Sequence, residues 1–240
     1  MAPLFNQNFL TWSNSSINRT VGFSPLDLTS IHSWYDASDL STITKDGSDR
    51  VSQWNDKAGS NNLVQATGGN QPLWLSANKN SLDVIDFVGS RWMDTSFTTL
   101  TNPVTIYLAV LNPSNDGNNH VFYDANTFLQ GTFYKASSDD VFYFRADSTM
   151  FYFDETGHDS VWDYITTVFN GTSSKVRMTG NEVASGNAGT LSLDGLTVQS
   201  FGNASYYGNM KVGEIIIQDA LATSDEIADT ETYLKDKWGL

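Results

Sequence analysis

Cysteine is absent from the 240 residues of this chain. The chain therefore forms no disulfide, carries no thiolate nucleophile and cannot hold zinc through cysteine ligands. Histidine is scarce as well: His32, His120 and His158 lie far apart, and none has a metal-binding spacing such as His-x-x-x-His. The composition thus argues against a zinc or non-haem iron site.

Positive charge is in short supply. The 13 Lys and Arg residues stand against 27 Asp and Glu residues, which gives a formal net charge of −14, and the basic residues form no cluster. Affinity for nucleic acid comes mainly from basic side chains that neutralise phosphates, so we exclude a nucleic-acid partner. The acidity is consistent with solubility, or with a surface that binds cations.

Long hydrophobic runs are missing too. No window approaches the roughly 18 consecutive apolar residues of a membrane-spanning helix. Residues 1–20 contain no basic stretch followed by a continuous apolar core. The sequence therefore predicts neither a membrane span nor a signal peptide.

Short segments rich in β-branched and aromatic residues fill most of the chain. They are bounded by Asn, Gly and Pro and recur at fairly regular spacing. They are residues 33–36, 50–54, 82–87, 104–110, 121–123, 141–145, 150–153, 164–169, 175–178, 191–193, 198–201 and 211–217. This pattern predicts an all-β fold, an antiparallel β-sandwich of the jelly-roll type.

Helical periodicity is confined to residues 223–238. Thr223 and Glu226 have the spacing of a capping box, and Leu234 and Trp238 share a face that can pack on the sandwich. We therefore predict that a C-terminal α-helix follows the last strand.

Residues 1–22 differ from the rest, because they are rich in Asn, Ser and Thr and show no regular period. Large apolar side chains in such a segment favour docking on another protein. The candidate anchoring residues are Phe5, Phe9, Leu10 and Trp12. We predict an N-terminal arm over residues 1–22 and a single domain over residues 23–240.

Several motifs occur in a fixed order along the domain. They are Trp-Tyr-Asp-Ala-Ser-Asp (34–39), Arg-Val-Ser-Gln-Trp-Asn-Asp-Lys (50–57), Val-Ile-Asp-Phe-Val-Gly (84–89), Gly-Glu-Ile-Ile-Ile (213–217) and Tyr-Leu-Lys-Asp-Lys-Trp-Gly-Leu (233–240). Together they resemble the laminin-G-like branch of the concanavalin A-like lectin/glucanase superfamily, which is frequent in bacteriophage virion proteins and bacterial surface proteins. The resemblance implies a two-sheet jelly roll with ligands at a concave face or loop rim, and little about activity.

Catalytic carboxylates are not evident. Glycosidases of that superfamily carry a Glu-x-Asp-x-Glu strand, since a nucleophile and an acid must flank the bond about 5 Å apart. The nearest candidate, Glu214, is followed at the same-face positions by Ile216 and Gln218. We therefore predict a protein that is not an enzyme and needs no cofactor.

Calcium is a further possibility, because relatives of the laminin-G-like type sometimes bind it at the rim of the sandwich. Two oxygen-rich loops have suitable chemistry, one with Asp46 and Asp49 and the other with Asp116 and Asn118. Both are also ordinary turn sequences.

Sugar binding requires aromatic surfaces beside polar groups. Around residues 141–153, Phe alternates with Tyr, so one set faces the core and the other, Tyr143 and Tyr152, faces outward with Arg145. Aromatic filling against neighbouring loops is the alternative explanation. Tyr206 and Tyr207 form a second candidate.

The leading functional hypothesis is a bacteriophage virion surface protein, a head decoration or fibre-like module. Its arm would anchor it to other virion proteins, and its domain would face outward for adhesion. Homo-oligomerisation is expected by analogy with fibre-like proteins. The alternatives are a carbohydrate-binding module for cell-surface glycans and, less favoured, a polysaccharide hydrolase.

Overall fold

The computed structural model describes residues 22–137, 141–154, 156–202 and 205–240. Across them the chain forms seventeen strands, one α-helix and four short 3₁₀ turns. The strands are β1 Ile31–Asp36, β2 Ile43–Lys45, β3 Val51–Trp54, β4 Leu63–Val64, β5 Leu73–Lys79, β6 Leu82–Phe87, β7 Met93–Thr101, β8 Val104–Leu111, β9 His120–Asp124, β10 Thr132–Lys135, β11 Val141–Ala146, β12 Thr149–Asp154, β13 Trp162–Phe169, β14 Ser174–Met178, β15 Asn181–Gly186, β16 Ser192–Val198 and β17 Met210–Gln218. The helix is α1, Ser224–Trp238.

The strands form two antiparallel sheets. The eight-stranded sheet has the order β15-β14-β13-β8-β17-β6-β5, and β1 pairs with β17 beside β6. The nine-stranded sheet has the order β12-β11-β10-β9-β16-β7-β4-β3-β2. This arrangement confirms the predicted antiparallel β-sandwich with a C-terminal helix.

The main core lies between the sheets. On β8, Ile106, Leu108 and Val110 are buried in it, and on the opposite sheet Phe142 and Phe144 of β11 meet them there. On each strand these side chains stand at alternate positions, because successive residues of a strand point to opposite faces of the sheet. The alternating Phe and Tyr residues of β11 therefore separate as predicted, with Phe inward.

A third layer covers the outer face of the eight-stranded sheet. Helix α1 packs over β13 and β8, and Leu234 and Trp238 are fully buried in a second apolar cluster with Tyr107 and Ile216. The predicted capping box is present, since the Thr223 hydroxyl accepts from the Glu226 backbone and the Glu226 carboxylate accepts in return. No helix of the described residues is long and apolar enough to cross a membrane.

Glu214 lies fully buried between the helix and β17. Its Oε1 accepts from Trp34 Nε1 at 2.6 Å and from the Tyr233 hydroxyl at 2.8 Å. Its Oε2 accepts from Lys237 Nζ at 2.9 Å and from Trp238 Nε1 at 2.8 Å. Burial raises the pKa of Glu214, while the Lys237 ammonium opposes that rise. The carboxylate thus joins β1, β17 and α1 through four donors.

Asp36 extends this network toward the surface. Lys237 Nζ lies 2.8 Å from Asp36 Oδ1, and Lys57 Nζ lies 3.0 Å from both Asp36 Oδ2 and Asp39 Oδ2. Burial pushes the pKa of Asp36 upward, but the Lys237 ammonium and the surrounding hydrogen bonds outweigh it, so that pKa lies below its usual value. Two ammonium groups therefore compensate two buried carboxylates, Asp36 and Glu214.

Gly213 explains how the helix approaches so closely. A Cβ there would lie 2.8 Å from Trp238 Cζ2, so only glycine leaves room for the indole against the strand. The pairing of β17 with β8 also shifts between Val212 and Glu214, which is a β-bulge. A bulge redirects side chains locally, and here Glu214 faces the helix.

Two predicted strands prove to be one. Residues 191–193 and 198–201 were expected to be separate, but β16 runs without interruption as Ser192–Val198, and Gln199, with φ +69°, ends it. The strand-forming pattern is broken between the two segments by Asp194 and Gly195, because both are poor strand formers. The glycine is needed here because neighbouring residues pack directly against the strand: a Cβ at Gly195 would lie 2.2 Å from Asn126 Nδ2 and 2.3 Å from Thr95 O.

The buried Glu214 network yields a stability prediction. Glu214→Gln leaves one oxygen for four donors, so buried donors lose their acceptor, and we expect a loss of about 3–5 kcal/mol in the free energy of unfolding. Urea unfolding followed by tryptophan fluorescence measures it. The matched control is Glu182→Gln at the exposed pair with Lys175, which should cost less than about 1 kcal/mol. Equal costs for the two variants would contradict the role given to Glu214.

An aromatic ridge as the candidate functional site

The outer face of the nine-stranded sheet carries a row of tyrosines. Tyr134 of β10 is paired with Tyr143 of β11, which is paired with Tyr152 of β12. Directly paired residues of antiparallel strands point to the same face, and Phe142 and Phe144 on either side of Tyr143 point into the core. The three tyrosines therefore stand side by side on the surface away from the core.

The three rings are not equally available to a ligand. The rings of Tyr134 and Tyr143 are nearly parallel, at 7°, with centroids 4.8 Å apart, so they stack on one another. Tyr152 is tilted by 37° from Tyr143 with centroids 5.8 Å apart, and it is 67% exposed at the sheet edge. Tyr143 thus offers mainly its edge and hydroxyl, whereas Tyr152 offers an open ring face.

Two loops continue the row beyond Tyr134. Phe201 packs edge-on against Tyr134, with ring centroids 5.3 Å apart. Its ring centroid also lies 5.4 Å from that of Phe128 and 5.7 Å from that of Tyr206. Phe201 is almost buried, but Phe128 is 42% and Tyr206 59% exposed. The six rings form one connected set of ring contacts that joins at Phe201, and we call this set the aromatic ridge: Phe128, Tyr134, Tyr143, Tyr152, Phe201 and Tyr206.

Asp124, at the end of β9, fixes these loops. Its side chain is fully buried, Oδ1 accepts from the Thr132 hydroxyl at 2.5 Å, and Oδ2 accepts from Leu129 N at 2.9 Å and Gly202 N at 3.1 Å. Burial raises the pKa of this carboxyl. One carboxylate therefore ties the loop that carries Phe128 to the loop that carries Phe201.

Polar groups flank the tyrosine row on both sides. In the neighbouring row, Arg145 lies between Thr132 and Met150, and on the other side Asp154 is paired with Val141. Nε of Arg145 donates to the Asp147 carbonyl at 3.0 Å, and Nη2 donates to the same oxygen. Burial raises the pKa of Tyr134, so its hydroxyl stays protonated. The ridge thus combines ring surfaces with hydroxyls, a cation and an anion.

Most of the predicted binding residues converge on this surface. Tyr143, Tyr152, Arg145 and Tyr206 lie on or beside the ridge, and Tyr207 is half-buried next to Tyr206. Sequence reasoning missed Tyr134, Phe128 and Phe201. Tyr134 had a usable signal, since the alternation in Thr-Phe-Tyr-Lys at 132–135 matches that of β11, whereas the loop residues meet only through tertiary folding.

The two calcium candidates do not come together, and in each loop a carboxylate oxygen already accepts from neighbouring donors. Asp46 Oδ1 accepts from Ser48 N at 2.8 Å and Arg50 N at 2.9 Å, and Asp49 Oδ1 accepts from Lys45 Nζ at 2.5 Å. These are the hydrogen bonds of an Asx turn and an ion pair. No group of three or more carboxylate or histidine side chains arranged for a metal ion occurs among the described residues.

The second loop is similarly engaged. Asp116 Oδ1 accepts from Asn118 N at 3.0 Å and lies 2.9 Å from His120 Nε2. Asn209 N donates to His120 Nδ1 at 3.2 Å, which assigns the proton of the neutral ring to Nε2. Burial lowers the pKa of His120 despite the Asp116 carboxylate. Asp116, which also accepts from Asn118, thus holds the buried His120 ring in place.

The predicted arm cannot be placed. Phe5, Phe9, Leu10 and Trp12 lie outside the described residues, and the proposed boundary at residue 22 stays a prediction.

No protein-family model and no curated protein sequence matches the chain. Among solved structures, the Trypanosoma rangeli sialidase in complex with sialic acid is similar, with 11% identity and a TM-score of 0.58 over 87% of this chain and 33% of that chain. The binding domain of Paraclostridial Mosquitocidal Protein 1 has 14% identity and a TM-score of 0.61, covering 89% of this chain and 53% of that one. The botulinum neurotoxin serotype D/C VPI 5993 binding domain has 10% identity and a TM-score of 0.52, with coverages of 88% and 53%.

These likenesses concern the fold. The chain shares with these proteins the fold of an antiparallel β-sandwich, and none of the comparisons shows the laminin-G-like branch. The chain spans 33% of the sialidase and 53% of each toxin binding domain, so it matches part of each protein.

The role of Asp124 is testable with one isosteric change. Asp124→Asn turns an acceptor into a donor that faces backbone N–H groups, so we expect a loss of about 1–3 kcal/mol in the free energy of unfolding. Hydrogen exchange should accelerate at Leu129 and Gly202 and stay unchanged in β8. Asp194→Asn is the matched control. Asp194 of β16 accepts at 3.0 Å from Thr127 N, which belongs to the same loop as Leu129, but this hydrogen bond is exposed whereas those of Asp124 are buried or partly buried. Unaltered exchange at Leu129 and Gly202 in Asp124→Asn would refute this role.

Proposed function

We propose that this chain is a glycan-binding module that holds carbohydrate on the aromatic ridge without cleaving it. The single observation that carries the proposal is the continuous row of six aromatic side chains on the open face of the nine-stranded sheet. Exposed aromatic clusters of this kind mark interaction sites, because solvent exposure of large rings is unfavourable.

Ring faces and hydroxyls are the chemistry that a sugar needs. The C–H face of a pyranose packs on an aromatic ring, and its hydroxyls pair with polar groups at the rim of the site. Tyr152 and Tyr206 offer the most exposed rings of the ridge. Arg145 lies on one side of the tyrosine row and Asp154 on the other. An extended sugar chain can therefore contact several of these groups at once.

The absence of catalysis in this proposal rests on the positions of the acids. Glycosidic cleavage requires two carboxyl groups about 5–10 Å apart on opposite sides of the scissile bond. Glu214, the nearest candidate by sequence, is fully buried under α1 on the other sheet. Asp124 is buried beneath the loops and accepts backbone N–H groups. Neither carboxylate reaches the ridge surface to pair with Asp154, which lies beside the tyrosine row, and this favours binding over hydrolysis.

The virion-surface hypothesis receives no support from the similar structures named above, which are a sialidase and two toxin binding domains. Display on a phage particle, attachment through residues 1–22 and homo-oligomerisation stay predictions. The glycan-binding alternative accounts for the ridge directly, and so it replaces them as the function that we propose.

Screening the full chain on an array of neutral and acidic glycans, followed by calorimetry on the strongest hit, tests the proposal. Tyr152→Ala and Tyr206→Ala should each weaken binding roughly tenfold, since each removes an aromatic contact. Tyr152→Phe should retain most of the affinity, because the ring remains.

The control is Leu221→Ala. Leu221 is 49% exposed in the connection between β17 and α1, on the other side of the molecule, so its removal should leave the affinity unchanged. The proposal fails if the wild-type chain binds no glycan, or if Leu221→Ala weakens binding as much as Tyr152→Ala.

A further inference from the structure

Arg145 is the cation of the ridge, and no carboxylate among the described residues pairs with it. Lys135, on the adjacent strand β10, is paired with Asp159, and Arg177 is paired with Glu231 at 2.7 Å. Within the described ranges, the guanidinium of Arg145 instead donates only to the Asp147 backbone carbonyl. In a chain with a net charge of −14, a cation beside exposed aromatic rings that lacks a carboxylate partner calls for an explanation.

The contact with Asp147 orients the guanidinium and leaves part of it free. Nε and one N–H of Nη2 are directed at the carbonyl oxygen. A guanidinium has five N–H groups, so both N–H groups of Nη1 and one of Nη2 remain. These remaining groups form the end-on edge that binds a carboxylate through two parallel hydrogen bonds.

The surroundings define how a ligand would lie. Arg145 occupies the row next to the tyrosines, directly paired with Met150, which is 46% exposed. Asp154 lies on the same face of β12, two residues beyond Tyr152 and on the side away from Arg145. A negative group is therefore attracted at one side of the tyrosine row and repelled at the other, where sugar hydroxyls can donate to Asp154.

We infer that the ridge binds sugars that carry a carboxylate, with the carboxylate on Arg145 and the sugar ring against Tyr152. This inference rests on the proposed glycan-binding function and specifies its ligand class. Sialic acids and uronic acids share the required chemistry. Attraction between the two charges is also screened by salt, so the preference for acidic sugars should be salt-dependent.

Calorimetry with matched pairs of sugars tests the inference. The probes are 3′-sialyllactose against lactose, and trigalacturonic acid against its methyl ester, so each acidic sugar has an uncharged counterpart. We expect at least one acidic member to bind roughly tenfold more tightly than its partner. This preference should shrink when NaCl is raised from about 50 mM to about 500 mM. Whichever pair shows the preference identifies the source of the carboxylate.

Variants separate the two claims. Arg145→Gln should remove the preference for the acidic sugar, because the affinity for the acidic sugar falls much further than the affinity for the neutral one, whereas Tyr152→Ala should weaken both by a similar factor. Arg50→Gln is the matched control, because Arg50 also donates to a backbone carbonyl, that of Gly68 at 2.7 Å, but lies away from the ridge.

The outcomes are distinguishable. Equal binding of acidic and neutral sugars, or a preference that persists in Arg145→Gln, overturns this inference and leaves glycan binding standing. Failure of every acidic and neutral sugar to bind overturns both proposals.

Discussion

The buried carboxylate of Glu214 holds the third layer of this molecule in place. It accepts from two indoles, a phenol and an ammonium that come from β1 and α1, and it is fully buried. A charge in such a position is costly unless it is both paired and hydrogen-bonded, and here both conditions are met. Arg177 and Thr166 fix Glu231 of the same helix in a similar way. The helix is therefore bound by polar anchors as well as by apolar packing.

This anchoring makes the two faces of the sandwich different. The outer face of the eight-stranded sheet is covered by α1, so the aromatic residues at this interface, among them Trp34 of β1 and Trp238 of α1, have structural partners. The outer face of the nine-stranded sheet carries the tyrosine row, and within the described part of the chain it is covered only in part, by the loops that Asp124 ties down. A β-sandwich needs only one face of each sheet for its core, which leaves an outer face available for binding.

The segments that resemble a known superfamily are largely the helix-anchoring residues. Trp34, Asp36, Lys57, Glu214 and Trp238 come from four of those motifs, and all belong to the Glu214 network or touch it. The resemblance therefore predicts the fold, because the residues that carry it are those that hold the helix on the sheet. It says little about the ligand, because these residues lie away from the ridge. The ridge was half-predictable: the alternation of β11 and β12 placed Tyr143 and Tyr152 outward. Phe128 and Phe201 reach the ridge only through loops whose positions depend on a buried carboxylate far away in sequence.

The central claim is that one face of the sandwich is structural and the opposite face binds ligand. Aromatic NMR spectra of the chain, recorded while the strongest array glycan is added, test it most directly. The account predicts that the ring signals of Tyr152 and Tyr206 shift with added glycan, while the indole N–H signals of Trp34 and Trp238 stay in place. Saturable binding that moves the two indole signals and leaves the tyrosine rings unchanged would contradict it.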